Sequence, residues 1–128
     1  MKVMVIIIML VMIITPIAHS LAFVDAYNET QAKWRITAYC ACSKCCGKYS
    51  DGVFASGKKV YVGGVACNWL PFGTKVKIHG LGTYTVEDRG AKTYFGSKTN
   101  KIKHLDVYFD SHEDAKQFGN QYHRVTIL

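Results

Sequence analysis

The sequence predicts a small, mainly β fold closed into a barrel, and three observations carry that prediction. Six short runs rich in β-branched and aromatic residues follow one another after residue 33, at Trp34–Tyr39, Lys59–Val65, Thr74–Ile78, Tyr84–Val86, Leu105–Phe109 and Val125–Leu128. Glycines punctuate them at Gly57, Gly63-Gly64, Gly73, Gly80, Gly82 and Gly90, as short strands joined by tight turns require. Only one helix is well signalled. A set of short strands with one helix and glycine-rich turns closes most economically as a barrel, which leaves no exposed sheet edge.

The elements justify themselves in chain order. Lys2 followed by an unbroken Val, Ile, Leu and Met run from Val3 to Ile14 has no polar stripe, so it does not read as a helix of a globular core. It reads as a signal peptide over residues 1–20: Lys2 is the n-region, Pro16 ends the apolar helix, and Ala18-His19-Ser20 or Ser20-Leu21-Ala22 supplies small residues for cleavage. The apolar stretch falls short of the roughly 20 residues that span a bilayer, which favours cleavage over an N-terminal anchor. Residues 21–33 read as a linker, and residues 34–128 as the barrel domain. The helix is placed by Ser111-His112-Glu113-Asp114, a capping pattern, then Ala115 and Phe118 on one face and Gly119 at the C-terminal stop.

Composition narrows the function classes. With 49% hydrophobic and 20% charged residues the chain has the means to bury a core, which excludes general disorder. Its formal charge is +7, and removal of Lys2 with the leader lowers it to +6. The lysines are scattered (Lys58-Lys59, Lys75, Lys77, Lys98, Lys101, Lys103), without the dense run of a nucleic-acid arm, so no nucleic-acid partner is expected. A polyanionic cell wall is the alternative target that such a charge would help the protein find.

Five cysteines are present. Cys40, Cys42, Cys45 and Cys46 crowd into Cys-Ala-Cys-Ser-Lys-Cys-Cys-Gly, and Cys67 stands apart. In an exported domain of this size disulfides are the default expectation, with one thiol left over because the number is odd. Zinc competes, since Cys42-x-x-Cys45 has metal-ligand spacing. The usual second Cys-x-x-Cys or His-x-x-x-His pair is missing, so no metal and no cofactor are expected. His79, His104, His112 and His123 read as surface or packing residues.

The carboxylates point to acid–base chemistry. Glu87, Asp88, Asp106, Asp110 and Glu113 make up five of the nine Asp and Glu residues. Alternation along Leu105–Asp110 puts Asp106, Tyr108 and Asp110 on one face of a strand and Leu105, Val107 and Phe109 on the other. A carboxylate there is partly desolvated, which raises its pKa toward the range of a general acid. Asp110, just ahead of the helix, reads as solvated charge.

Several motifs in order then resemble a known family. Val65-Ala66-Cys67, Leu70-Pro71-Phe72-Gly73-Thr74, Gly82–Gly90 with Glu87-Asp88-Arg89-Gly90, and Leu105–Ala115 are similar to the three-aspartate (3D) domain of bacterial stationary-phase survival proteins and of the C-terminal part of membrane-bound lytic transglycosylase A. The resemblance spans about Arg35 to Leu128, and Thr37-Ala38-Tyr39 and Ala55-Ser56-Gly57 are similar to the first strands of the same fold in rare lipoprotein A and expansin-like domains. It implies a six-stranded double-psi β-barrel with one short helix that cleaves the β-1,4 bond between N-acetylmuramic acid and N-acetylglucosamine. Asp106 falls on the family's catalytic aspartate, and Asp88 on its second. The third is absent: Val65-Ala66-Cys67-Asn68 has Cys67 or Asn68 in its place.

The expectation is therefore an exported, cell-envelope lytic transglycosylase acting on peptidoglycan glycan strands. Asp106 would be both acid and base and Asp88 its helper, with Tyr39 and Thr74 in the substrate groove. A non-catalytic glycan-binding barrel is the alternative, and a metal-dependent hydrolase built on Cys40–Cys46 a weaker third.

Overall fold

A computed structural model of the protein describes Val24, Tyr27 and residues 32–128. The signal peptide expected at residues 1–20 lies outside the described residues, as does most of the linker expected at residues 21–33. Among the described residues no helix is long and apolar enough to cross a membrane.

Residues 33–128 make one compact unit built on six strands: β1 (Lys33–Tyr39), β2 (Gly64–Ala66), β3 (Lys75–Ile78), β4 (Gly82–Asp88), β5 (His104–Tyr108) and β6 (Gln121–Ile127). They close into a barrel in the order β1-β5-β2-β4-β3-β6. The sheet is mixed. β1 runs parallel to β5 and β2 parallel to β4, while the remaining neighbours are antiparallel. The expected closed barrel of six strands is thus the fold.

Alternation builds its interior. Ile36, Val65, Val76, Ile78, Val86 and Leu105 are fully buried and Val107 nearly so, all in one cluster with Trp34 and Leu70. Trp34 and Trp69 stack obliquely at 5.4 Å between centroids and close one part of this core. Across the sheet Ile36 pairs with Leu105, and Val65 pairs with both Val86 and Val107, so one inward row is β-branched or Leu at nearly every step.

Among the described residues three short α-helices accompany the strands, α1 (Ser43–Cys46), α2 (Lys92–Phe95) and α3 (His112–Phe118), and a 3-10 turn (Gly47–Tyr49) follows α1. α3 is the helix the sequence signals. Ser111 caps it by accepting a hydrogen bond from the Asp114 amide at 3.3 Å, and Gly119 ends it at φ 65°. The expectation of a single helix is corrected by α1 and α2, each four residues long. One turn is too short to imprint a period on the sequence. The strand expected at Lys59–Val65 is also shorter. Only Gly64–Ala66 is regular, because Gly63 adopts φ 113° and breaks the run, leaving Lys59 and Val62 in isolated bridges.

Gly64 has a second duty. A Cβ there would lie 2.4 Å from the Phe54 ring, which itself packs edge-on against Tyr61 and Tyr108. Truncating Leu105, whose side chain fills the barrel centre, should cost about 2–5 kcal/mol. Urea unfolding of Leu105→Ala checks this, with the midpoint expected to drop and the slope to stay unchanged.

Candidate functional site

The site is a row of side chains crossing four adjacent strands. Thr37 on β1 pairs with Asp106 on β5, Asp106 pairs with Ala66 on β2, and Ala66 pairs with Asp88 on β4. Residues paired in this way point to the same side of a sheet, here the outer face of the barrel, opposite Leu105 and Val107. The two aspartates are two strand spacings apart, about 10 Å between backbones, with Ala66 on the strand between them.

A register shift makes the row possible. Gly64 and Val65 pair with Thr85 and Val86, but Ala66 pairs with Asp88 and skips Glu87. The irregularity turns Asp88 to the outside beside Asp106 and leaves Glu87 buried at 1% exposure. Glu87 is held through one oxygen: Lys58 Nζ lies 2.6 Å from its Oε1, and the Tyr61 hydroxyl donates to the same oxygen at 3.2 Å. Burial alone would push the Glu87 carboxyl up, but these donors outweigh it and hold it below its ordinary range.

Asp88 is fixed from three directions. Its Oδ1 accepts from the amides of Ala55 (2.9 Å) and Arg89 (2.8 Å), and its Oδ2 accepts from the Tyr39 hydroxyl at 2.5 Å. Tyr39 lies two residues past Thr37, on the same face of β1, so its ring reaches across the row. Burial and the bond to Asp88 push its phenol well above the ordinary range, so it remains a donor.

Asp106 has the opposite environment. Burial pushes its carboxyl up to about 6, and the negative charge of Asp88 adds to the rise, while Thr37 and Arg35 oppose it. The Thr37 hydroxyl lies 2.7 Å from Asp106 Oδ1, and the same oxygen lies 2.8 Å from His104 Nε2. His104 Nδ1 lies 3.1 Å from the Tyr94 carbonyl, and its ring stacks on Phe95 at 4.1 Å.

Counting protons along this chain assigns its state. The Tyr94 carbonyl only accepts, so His104 Nδ1 must carry hydrogen. Burial lowers the His104 pKa, so the ring is neutral and Nε2 is left as an acceptor. Nε2 and the Asp106 carboxylate then compete for the one Thr37 hydroxyl proton, which is donated to Asp106 Oδ1 at 2.7 Å. Where Asp106 holds a proton it can donate to Thr37 instead, and the hydroxyl is then free to turn to Nε2. When Asp106 ionises, the hydroxyl swings to the carboxylate and Nε2 loses its donor. The Thr37 hydroxyl therefore favours the ionised form of Asp106, and burial outweighs it to keep the pKa raised.

The remaining expected groove and site residues divide. Thr74 sits on the turn into β3, where its carbonyl accepts from the Val86 amide at 2.9 Å, and no hydrogen bond joins its hydroxyl to either aspartate. Asp110 is exposed, as solvated charge should be. Asn68, near the place of the family's third aspartate, uses its whole amide on backbone. It donates to the Gly90 and Gly96 carbonyls and accepts from the Gly90 amide, all at 2.8–2.9 Å. Beyond it lies a cleft of about 390 Å³ whose rim carries Arg89, Lys92 and Lys98. Thr37 and His104 were missed at the sequence level because their roles come from pairing between strands 67 or more residues apart.

The cysteines overturn the disulfide expectation. All five are free thiols, and Cys67 is buried in the barrel core rather than near the others. Cys40 Sγ is 3.1 Å from Cys42 Sγ and 3.4 Å from Cys45 Sγ, well beyond the roughly 2.05 Å of a disulfide. His112, read from sequence as a surface or packing residue, joins them: its Nδ1 lies 3.3 Å from Cys42, 3.4 Å from Cys45 and 3.6 Å from Cys40. Cys46 turns away and donates to the Cys40 carbonyl at 3.2 Å. Burial raises the Cys40 thiol, and the hydrogen bond from Cys40 lowers that of Cys42.

Comparison with known proteins finds a likeness over most of the barrel-forming chain. Over 94 residues the chain is 35% identical to YabE of Bacillus subtilis (strain 168), described as a candidate cell wall shaping protein. The match covers 72% of this chain but spans only 21% of that protein, about a fifth of its length. None of the protein-family models compared with the chain matches it.

The raised pKa of Asp106 has a consequence for stability. Between its ordinary value of 3.8 and about 6 the folded protein binds a proton that the unfolded chain has released, so stability falls as pH rises through this window. Above pH 6 the penalty is complete, at most about 3 kcal/mol for a shift of this size. Asp106→Asn should therefore raise the melting temperature at pH 7.5, and the gain should vanish below pH 4. Thermal melts of both proteins across that range read the difference.

Proposed function

We propose that the protein is an exported enzyme that cleaves peptidoglycan glycan strands as a lytic transglycosylase, with Asp106 as its acid and base. The observation that carries this reading is a carboxyl group pushed up to about 6 at the centre of an outward-facing row, with a second carboxylate two strands away. A single proton-holding carboxyl suits a reaction in which the sugar supplies its own nucleophile. Ordinary glycoside hydrolysis needs a second carboxylate placed to attack or to activate water. Asp88 has both oxygens engaged by Tyr39, Ala55 and Arg89, which suits electrostatic support better than attack.

In this mechanism Asp106 donates its proton to the glycosidic oxygen as the bond to C1 of N-acetylmuramic acid breaks. The leaving N-acetylglucosamine takes that proton as its 4-hydroxyl. The muramic acid C6 hydroxyl attacks C1 and gives its proton to the Asp106 carboxylate, which closes a 1,6-anhydro ring and restores the acid. Holding the nucleophile on the same sugar replaces a bimolecular step with an intramolecular one. Thr37 and His104 position the proton, and Asp88 favours its retention and steadies positive charge developing on the sugar. Tyr39 lines the groove beside Asp88, and Thr74 stands at its margin.

The 35% identity to a candidate cell wall shaping protein supports the wall as target, and so do the net charge of +7 and the basic rim at Arg89, Lys92 and Lys98. Envelope location follows from the same reading, with residues 1–20 as the export signal and residues 21–33 as a linker. A glycan-binding barrel without catalysis is the second reading, favoured by Asn68, which serves as a backbone tie near the place where the resembling family carries a third aspartate.

Incubating the purified protein with peptidoglycan and analysing soluble products by mass spectrometry tests the two. Transglycosylase action yields 1,6-anhydromuropeptides, lost by at least about a hundredfold in Asp106→Asn. Sedimentation with wall fragments and no soluble product supports the binder. Products with ordinary reducing ends would reject the intramolecular mechanism.

The rate itself should depend on pH through Asp106. Because the acid form reacts, kcat/KM should decline as pH rises through about 6. Thr37→Val removes the hydroxyl that links Asp106 to His104 and should shift that midpoint as well as lower the rate. A lower rate with an unmoved midpoint would mean that Thr37 serves only packing.

A further inference from the structure

The four ligand-type side chains at the end of β1 fall outside the glycan mechanism. Cys40 follows β1, Cys42 is the N-cap of α1, Cys45 lies within α1, and His112 opens α3. Their ligand atoms all lie within 4.8 Å of one another. Chain separation makes the meeting informative: His112 is 67 to 72 positions along the chain from the cysteines.

The spacing fits neither a disulfide nor ordinary packing of thiols. Sulfur–sulfur distances of 3.1 and 3.4 Å are too long for a covalent bond and short for thiols in simple contact. A tetrahedron with metal–sulfur arms of about 2.3 Å and a metal–nitrogen arm of about 2.0–2.1 Å has edges of roughly 3.5–3.8 Å. The sulfur–nitrogen distances of 3.3, 3.4 and 3.6 Å approach that figure on all three sides.

Local backbone supports the same chemistry. The amides of Cys45 and Cys46 fold back to the Cys42 carbonyl at 3.1 and 2.9 Å, a turn that brings Cys42 and Cys45 to one side. Cys46 is turned out of the cluster by its bond to the Cys40 carbonyl, so the sulfur count at the centre is three.

We propose that Cys40, Cys42, Cys45 and His112 bind one zinc-class divalent cation in a closed Cys3His site that ties the end of β1 and α1 to the start of α3. Three thiolates and an imidazole select a borderline-soft cation such as Zn2+ over calcium or magnesium, which require oxygen ligands. With four protein ligands there is no open position for water or substrate, so the ion is structural rather than a Lewis acid in the glycan reaction. Tyr39, which directly precedes Cys40 and bonds Asp88, would be anchored by it. The inference stands apart from the transglycosylase reading, because it is read by metal content and spectra.

The test uses the full chain purified under reducing conditions, loaded with Zn2+ and desalted. One zinc per chain is expected by elemental analysis. With Co2+ in its place, a strong thiolate-to-cobalt charge-transfer band and the visible bands of a tetrahedral ion are expected. Cys42→Ser, Cys45→Ser and His112→Ala should each lose the stoichiometric ion, whereas Cys46→Ser should keep it. His112→Cys guards against a variant that merely fails to fold, since it should retain one ion with a shifted cobalt spectrum. Chelation should lower the melting temperature of the loaded protein and leave that of Cys42→Ser unchanged. Reduced protein that retains no zinc, loss of the ion in Cys46→Ser, or equal retention in Cys42→Ser and His112→Ala would overturn the proposal.

Discussion

Ala66 sits between two carboxylates, and the geometry of the site follows from how its three-residue strand is held. All of β2 is buried, and it lies between β4 and β5, so its pairing sets which side chains of those strands stand side by side. Side chains alternate with a period of two, so a register one residue different would exchange the two faces of a strand. With regular pairing past Val65, Glu87 would stand beside Ala66 and Asp88 would turn toward the inside. The skipped residue instead places Asp88 on the same face as Asp106 and leaves Glu87 buried against Lys58. One local irregularity thus separates a structural carboxylate from a chemical one, although the two are adjacent in sequence. Ala66, itself buried, puts only a methyl group on the strand between Asp106 and Asp88.

The two aspartates then differ by their partners rather than by their chemistry. Asp88 receives two amides and a phenol, all donors. Asp106 receives one hydroxyl that a neutral imidazole also claims. This contrast gives the two carboxyl groups different surroundings, and burial raises the pKa of Asp106. The cost falls on folding, since a desolvated carboxyl destabilises the native state wherever it must ionise. The buried rows of Ile36, Leu105, Val65, Val86 and Val107 behind the site supply the stability that offsets it.

Much of this was legible in the sequence, and the limits have a physical origin. Alternation over Leu105–Asp110 told which side of the strand Asp106 would face, and Ser111 with Gly119 bounded the one long helix. Both are local signals. The register shift at Ala66 is a relation between strands, and nothing in Val65-Ala66-Cys67 or Glu87-Asp88 alone encodes it. The same holds for Thr37 and His104, which look like ordinary strand residues until β1 and β5 pair. Cys42-x-x-Cys45 carried half of a metal-site pattern, but its imidazole partner comes from another element, so the cysteines read as disulfide candidates. Folding supplies the missing ligand at a separation no spacing rule covers.

The end of β1 joins these parts. Thr37 and Tyr39 reach the two aspartates from one face of that strand, and the next residue, Cys40, begins the thiol–imidazole cluster. The central claim is that Asp106 holds its proton far longer than an ordinary aspartate. It is tested most directly by following the side-chain carboxyl 13C resonance of Asp106 against pH, with Asp106→Asn used to assign the signal. A titration midpoint near 6 is the predicted result. A midpoint at or below the ordinary value of 3.8 would contradict it, because Asp106 would then be ionised throughout the working range and would have no proton to give.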